Sequence, residues 1–191
     1  MELFKNRKVA AGILALVIIL FTILGINRSL WSLSSSIEDL FYDGIYNSDD
    51  RYNAPSISSQ LDKRINAAMG LITVGNHYEA LASQTEALRS ARIELLDAKT
   101  LPAKYAANEK MENTYPELLH ALASYSGLSS EDKTAVESYA STLSGAQAVI
   151  ENSSYNEKVQ KYYNETIRAF PLNILNPLVF VDGPDYFNME G

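Results

Sequence analysis

The chain has 191 residues, enough for one modest globular domain. It is 47% hydrophobic and 20% charged, with 9 Gly and 6 Pro, which excludes collagen-like and intrinsically disordered proteins. Its net charge is −7 and no basic patch is visible, so nucleic-acid binding is excluded. Cysteine is absent, which excludes disulfides, thiol catalysis, Cys-based zinc sites and iron–sulfur clusters.

The first predicted element is a membrane-spanning helix. Val9–Ile26 is an uncharged apolar run whose helical length is roughly 27 Å, close to the thickness of a bilayer core. The run lacks a good cleavage site and is apolar on every face, so an uncleaved anchor is favoured over a signal peptide or a buried helix. Lys5, Arg7 and Lys8 precede it, which predicts a cytoplasmic tail at residues 1–8, one crossing at residues 9–26 and an extracytoplasmic domain.

Residues 27–170 are predicted to form an all-α domain. Its apolar residues recur at helical spacing, and strand-like alternation with hairpin turns is not seen. Because no single stripe can be buried alone, we expect an antiparallel bundle of four or five helices without a sheet. The stripes comprise Leu30, Leu33, Ile37, Leu40 and Phe41; Ile57, Leu61, Ile65, Ala68, Met69 and Ile72; Leu81, Thr85, Leu88, Leu95 and Leu96; Val136, Tyr139, Leu143, Ala146 and Ile150; and Tyr155, Val159, Tyr163, Ile167 and Phe170.

Start and stop signals separate these stripes. Gly75-Asn76 is expected to interrupt one helical stretch, and Pro102 and Pro116 each suit a first helical turn or a kink. Ser129 is the predicted N-cap of a further helix, with an acidic residue three positions later. The last helix is expected to run from Tyr155 to Phe170, where Pro171 stops it.

Three residues come into question for catalysis or metal binding. Glu117 and His120 have the Glu-x-x-His spacing of di-iron bundles, but such a site needs a second copy, and His77 has Val74 three residues before it. Surface or loop positions are the better interpretation of both histidines. Familiar catalytic and phosphate-binding motifs are missing, so we expect no enzyme activity, no catalytic residues, no cofactor and no metal.

The end of the chain resembles the LemA family. The residues that carry the resemblance are Tyr155-Asn156, Val159, Tyr163-Asn164, Ile167, Phe170-Pro171, Asn173 and Tyr186-Phe187. One departure is the Tyr162-Tyr163 pair, which inserts a residue between the two Tyr-Asn pairs of the family pattern. The resemblance implies a bacterial, membrane-anchored helical bundle and supplies no catalytic residues. Family descriptions often propose an internal domain, whereas the charges before the apolar run favour the opposite orientation.

Residues 171–191 form an apolar tail that contains Ile174, Leu175, Leu178, Val179 and Phe180. The tail is too short to span a bilayer, and burial against the bundle is favoured over contact with a membrane or a partner.

From the anchor and the helical bundle we expect a single-pass scaffold or adaptor of the cell envelope, held by lipid at its N-terminal helix and contacting other membrane or envelope proteins. A sensor or binding module for a lipid or small envelope ligand is the alternative.

Overall fold

The structure is a computed structural model that describes residues 7–47, 52–175, 178 and 180–188. The chain divides into two compact units. One unit contains Met1–Glu38 and Glu157–Pro184, and the other contains Asp39–Asn156 and Asp185–Gly191. The second unit holds the helical bundle.

Nearly all regular structure in the described residues is helical, as predicted from the sequence. The long helices are α1 (Arg7–Asp43), α2 (Ile57–Gly75), α3 (Ala82–Asp97), α4 (Leu101–Ser124) and α5 (Ser130–Glu151). The shorter elements are α6 (Tyr155–Tyr162), α7 (Leu172–Leu175), a 3₁₀ turn at Glu79–Leu81 and a π-helical segment at Tyr163–Ile167.

Helix α1 is long and apolar enough to cross a membrane. Its most apolar 18-residue window has a mean hydropathy of 2.9 and no buried residues. Within the part of the chain that the structure describes, no second helix meets the same criteria of length and composition. The predicted span at residues 9–26 lies inside α1, which continues to Asp43.

Helix α2 is the centre of the bundle, since it packs against α3, α4 and α5, while α3 also packs against α4. The stripe predicted for α2 is buried except at Met69, which is 43% exposed, and the prediction omitted the buried Leu71. The predicted N-cap at Ser129 and the predicted first-turn position of Pro102 are confirmed, whereas the N-cap at Thr100 was not predicted. The Ser129 hydroxyl accepts a hydrogen bond from the Asp132 amide, and the Thr100 hydroxyl accepts one from Ala103, which places Pro102 in the first turn of α4. Pro116 lies inside α4.

A small antiparallel ribbon corrects the prediction of a sheet-free domain. Strand β1 (Ile45–Asn47) pairs with β2 (Tyr52–Ala54), with Ile45 opposite Ala54. Gly44 has a φ of 88° between α1 and β1, and a side chain there would collide with the Ala54 carbonyl oxygen. Strands of three residues are too short to produce a recognisable alternation in the sequence, which is why the ribbon was not predicted.

The predicted final helix is shorter than expected. Regular α-helix ends at Tyr162, and a π-helical segment replaces it from Tyr163 to Ile167. This change falls where the Tyr162-Tyr163 insertion interrupts the family pattern. The π-helical segment begins at the second tyrosine of this pair, and such segments are rare interruptions of α-helices.

Three of the apolar side chains named in the predicted tail are exposed in the structure. Ile174 is 67% exposed, Leu178 is 43% exposed and Phe180 is 83% exposed, while Val179 lies outside the described residues. The side chain of Asn27 explains the placement of Phe180, because its Oδ1 accepts a hydrogen bond of 2.8 Å from the Phe180 amide. The amide therefore faces α1.

Candidate functional site

The bundle has a polar interior that begins with a buried arginine. Arg64 projects from α2 and is 0% exposed. Its Nη2 donates to Glu112 Oε2 at 2.6 Å and its Nη1 donates to the Leu143 carbonyl at 3.0 Å. Tyr115 adds its ring, 5.9 Å from the guanidinium carbon, and donates its hydroxyl to Glu112 Oε1 at 3.3 Å. Arg64 thereby joins α2, α4 and α5.

The arginine cluster is best explained as structural. Burial raises the pKa of the Tyr115 hydroxyl, and the neighbouring Glu112 carboxylate raises it further. A tyrosine with a raised pKa stays protonated at neutral pH, so it acts as a hydrogen-bond donor to Glu112. The Nε of Arg64 has no hydrogen-bond partner, and an orphan donor of this kind is energetically costly.

A second polar chain lies between α4 and α5. Asn108 Nδ2 donates to Gln147 Oε1 at 3.0 Å, and Gln147 Nε2 donates to Glu151 Oε1 at 3.0 Å. Asn108 is 1% exposed, and its Oδ1 has no hydrogen-bond partner. Sequence reasoning missed these residues because they are scattered among apolar positions of helices.

An open cleft of about 350 Å³ adjoins this chain of amides. Tyr105 and Glu109 of α4 line the cleft together with Asn108, Gln147 and Glu151. Burial raises the pKa of the Tyr105 hydroxyl, and the carboxylates of Glu109 and Glu151 raise it further. The cleft is therefore polar and carries negative potential, which suits a ligand that donates hydrogen bonds or bears a positive charge.

Residues of the LemA-like pattern close one side of the same cleft. The side chain of Asn156 exchanges two hydrogen bonds with the main chain of Phe187, at 2.8 and 3.0 Å. Tyr155 donates its hydroxyl to the Asp185 carbonyl at 2.8 Å. Phe187 is 3% exposed and its ring lies edge-on to that of Tyr105. The Tyr155-Asn156 pair thus fastens the terminal Tyr-Phe segment to the bundle.

The structure places His77 beside an aspartate rather than beside His120. His77 is exposed, and its Nδ1 lies 3.4 Å from Asp132 Oδ2. Tyr78 donates its hydroxyl to the same oxygen at 2.5 Å and accepts a hydrogen bond from the Ser129 amide. The Tyr78 hydrogen bond is the largest cause of the lowered pKa of Asp132, with His77 and Ser129 adding to it. These contacts join the connection after α2 to the first turn of α5.

Glu117 and His120 are both exposed on α4. The described residues contain no group of three or more His, Asp or Glu side chains that could hold a metal ion. The Glu-x-x-His spacing thus corresponds to an exposed pair on one helix.

One comparison with known proteins gave a match. The model of the LemA family matches residues 53–191, which is most of the chain and includes both the bundle and the C-terminal segment. Neither the curated proteins nor the solved structures contain a match to this sequence.

Proposed function

The chain belongs to the LemA family, and from this premise we propose that it is a single-pass membrane protein of the bacterial cell envelope that acts as a scaffold or adaptor. The helical bundle is held outside the cytoplasm and contacts other envelope proteins without performing catalysis. The exposed apolar surface of α1 carries the first part of this proposal.

Large exposed apolar side chains cover the apolar run of α1, residues 9–26, on every side. Leu14 is 61% exposed, Leu16 is 67% exposed and Phe21 is 69% exposed. A contiguous apolar surface of this size is unfavourable in water, whereas a bilayer would cover it. The basic residues Lys5, Arg7 and Lys8 support a cytoplasmic N-terminus.

The absence of cysteine permits a clean test of anchoring and orientation. A Ser144→Cys variant places one thiol on the exposed face of α5. We expect the full-length variant to resist alkaline extraction from membranes and to react with an impermeant maleimide on intact cells. Reaction only after lysis would reverse the orientation, and release by alkaline extraction would refute the anchor.

The scaffold role is supported by apolar side chains on the outside of the bundle. Ile93 is 46% exposed and Leu96 is 45% exposed, and they lie three residues apart on one face of α3. We expect mild cross-linking in native membranes to capture defined partner proteins. An Ile93→Ser, Leu96→Ser variant should lose them, whereas Met69→Ser, which changes a side chain 43% exposed on α2, should keep them.

Two outcomes of this experiment would contradict the scaffold role. One is the absence of cross-linked partners from the wild-type protein, and the other is an unchanged set of partners in the α3 variant.

The two histidines provide a separate test of catalysis. A His77→Ala, His120→Ala double variant is expected to retain the wild-type phenotype. A loss of phenotype with an intact fold would favour an enzyme instead.

The polar cleft favours a second candidate function, that of a binding module for a small ligand. Its carboxylates at Glu109 and Glu151 suit an organic ammonium group, and the ring of Tyr105 can contact such a cation. Calorimetric titration with 1,4-diaminobutane should show binding that is lost in Glu109→Gln, Glu151→Gln, while 1,4-butanediol should not bind. Equal responses to the diamine and the diol would refute this function.

A further inference from the structure

The exposed apolar tail lies beside the point at which α1 leaves its apolar run. Asn27 is the first residue after that run, and both the oxygen and the nitrogen of its side-chain amide form hydrogen bonds with the tail. Its Oδ1 accepts from the Phe180 amide at 2.8 Å, and its Nδ2 lies 3.4 Å from the Leu178 carbonyl. Seven residues further along the same face, Ser34 donates its hydroxyl to the Asp182 carbonyl at 3.1 Å. The tail is therefore aligned along α1.

The segment before residue 178 reaches back onto the apolar run itself. Leu175 and Leu178 line one small crevice with Ile23 and Ile26, which belong to the last turn of that run. The short helix α7 ends at Leu175. These contacts place α7 at the level where the span meets water.

The most exposed side chains of this segment are large and apolar. Phe170 is 80% exposed, Ile174 is 67% exposed and Phe180 is 83% exposed. Trp31, one helical turn beyond Asn27, is 65% exposed. Tryptophan is enriched at the boundary between headgroups and acyl chains, and interfacial helices bury Phe and Leu side chains there.

We propose that Phe170, Ile174 and Phe180 insert into the bilayer interface next to α1, so that the C-terminal segment is a second lipid contact of this protein. This inference rests on the proposed anchoring by α1, and continuity with that span identifies lipid as the occupant. An interfacial apolar face is buried about 5–10 Å into the boundary region. Because the contact is apolar, it requires no anionic lipid. The contact forms on whichever side of the membrane the bundle occupies.

The full-length protein in vesicles of neutral phosphatidylcholine provides the test. Single cysteines at Ile174→Cys and Phe180→Cys are labelled with a nitroxide, and the accessibility of each label to oxygen and to a water-soluble nickel complex is measured. Leu16→Cys reports the anchor, and Ser144→Cys on α5 is the aqueous control. We expect deep immersion at Leu16, shallow immersion at both tail positions and none at Ser144.

The labels separate failure of the tail contact from failure of the anchor. Tail labels as hydrated as Ser144, together with an immersed Leu16, would overturn the tail contact and leave the anchor intact. A hydrated Leu16 label would refute the proposed anchoring on which this inference rests. Tail labels that are shielded by a second copy of the chain rather than by lipid, as detected by spin–spin interaction between labels, would also overturn the tail contact.

Asn27→Ala tests whether the hydrogen bonds to α1 position the tail. The substitution removes the acceptor of the Phe180 amide and the donor to the Leu178 carbonyl without altering the apolar side chains. We expect the Phe180→Cys label to lose immersion in the Asn27→Ala background while the Leu16→Cys label is unchanged. Unchanged immersion of the tail label would show that Asn27 does not position it.

Discussion

Replacing Glu112 with Gln would leave the Arg64 guanidinium buried without a counter-charge. Loss of one partner costs about 3–5 kcal/mol in a fully buried ion pair and exposed pairs are worth about 0–1 kcal/mol. The Arg64 side chain is 0% exposed and that of Glu112 is 32% exposed, so the pair lies between these limits. We expect Glu112→Gln to lower the free energy of unfolding by about 2 kcal/mol, which would reduce Tm by about 4–8 °C.

The matched substitutions separate charge burial from loss of contact. Arg64→Met removes the buried charge and its orphan Nε, so it should destabilise the bundle less than Glu112→Gln does. The double variant should resemble Arg64→Met, since the penalty of an unpaired charge is then absent. Glu117→Gln changes an exposed carboxylate of the same helix and should shift stability by less than about 0.5 kcal/mol.

Urea unfolding of the detergent-solubilised protein, followed by circular dichroism at 222 nm, measures these differences because the bundle supplies most of the helical signal. A larger loss in Arg64→Met than in Glu112→Gln would refute the reasoning. Additive effects in the double variant would refute it as well, because they would show that the two side chains do not interact.

Three further predictions concern single residues. Asn156→Ala removes two hydrogen bonds to the main chain of Phe187, so it should cost about 1–3 kcal/mol and increase proteolysis of the C-terminal segment. The pKa of Asp132 is lowered in the folded protein, so its carboxylate should stabilise the fold at neutral pH. This contribution should be lost as the pH falls through the ordinary pKa of an aspartate towards the lowered pKa of Asp132. In acid unfolding, the stability of Asp132→Asn should therefore depend less on pH than that of the wild type. Gly44→Ala should cost about 1–2 kcal/mol in thermal unfolding because Gly44 has a φ of 88°.

Asn164 accepts an exposed hydrogen bond from Arg168, so Asn164→Ala should leave proteolysis of the C-terminal segment unchanged. An equal acid response of wild type and Asp132→Asn would contradict the role given to that carboxylate. A Gly44→Ala variant with wild-type Tm would show that the connection between α1 and β1 adapts without strain.

The helices were predictable because their signals are local. Ser129 and Thr100 cap helices through side chains three residues from the amides they satisfy, and Pro102 marks a first turn by its own geometry. The apolar stripe of α2 is likewise visible within one helix. The class of fold and the boundaries near these residues therefore follow from short stretches of sequence.

The polar interior could not be predicted in the same way. Arg64 and its partner Glu112 are 48 residues apart in the sequence, and Asn108 and its partner Gln147 are 39 residues apart. Neither pairing therefore has a local signal in the sequence. A polar residue within an apolar stripe is the one available hint, and it does not identify the partner. The ribbon of β1 and β2 was missed for a different reason, namely that three residues are too few to show a period.

The placement of the LemA-like residues explains why the family pattern identifies a fold and leaves the activity open. The side chains of Tyr155 and Asn156 form hydrogen bonds with main-chain groups of the C-terminal segment. Tyr163 likewise donates its hydroxyl to the Pro184 carbonyl at 3.3 Å. Side chains that satisfy buried main-chain groups are constrained by geometry, because losing them leaves those groups unpaired. The recognisable residues therefore fasten the end of the chain. An activity would have to use side chains that these main-chain contacts leave open, such as the carboxylates of Glu109 and Glu151 in the cleft or the exposed apolar side chains of α3.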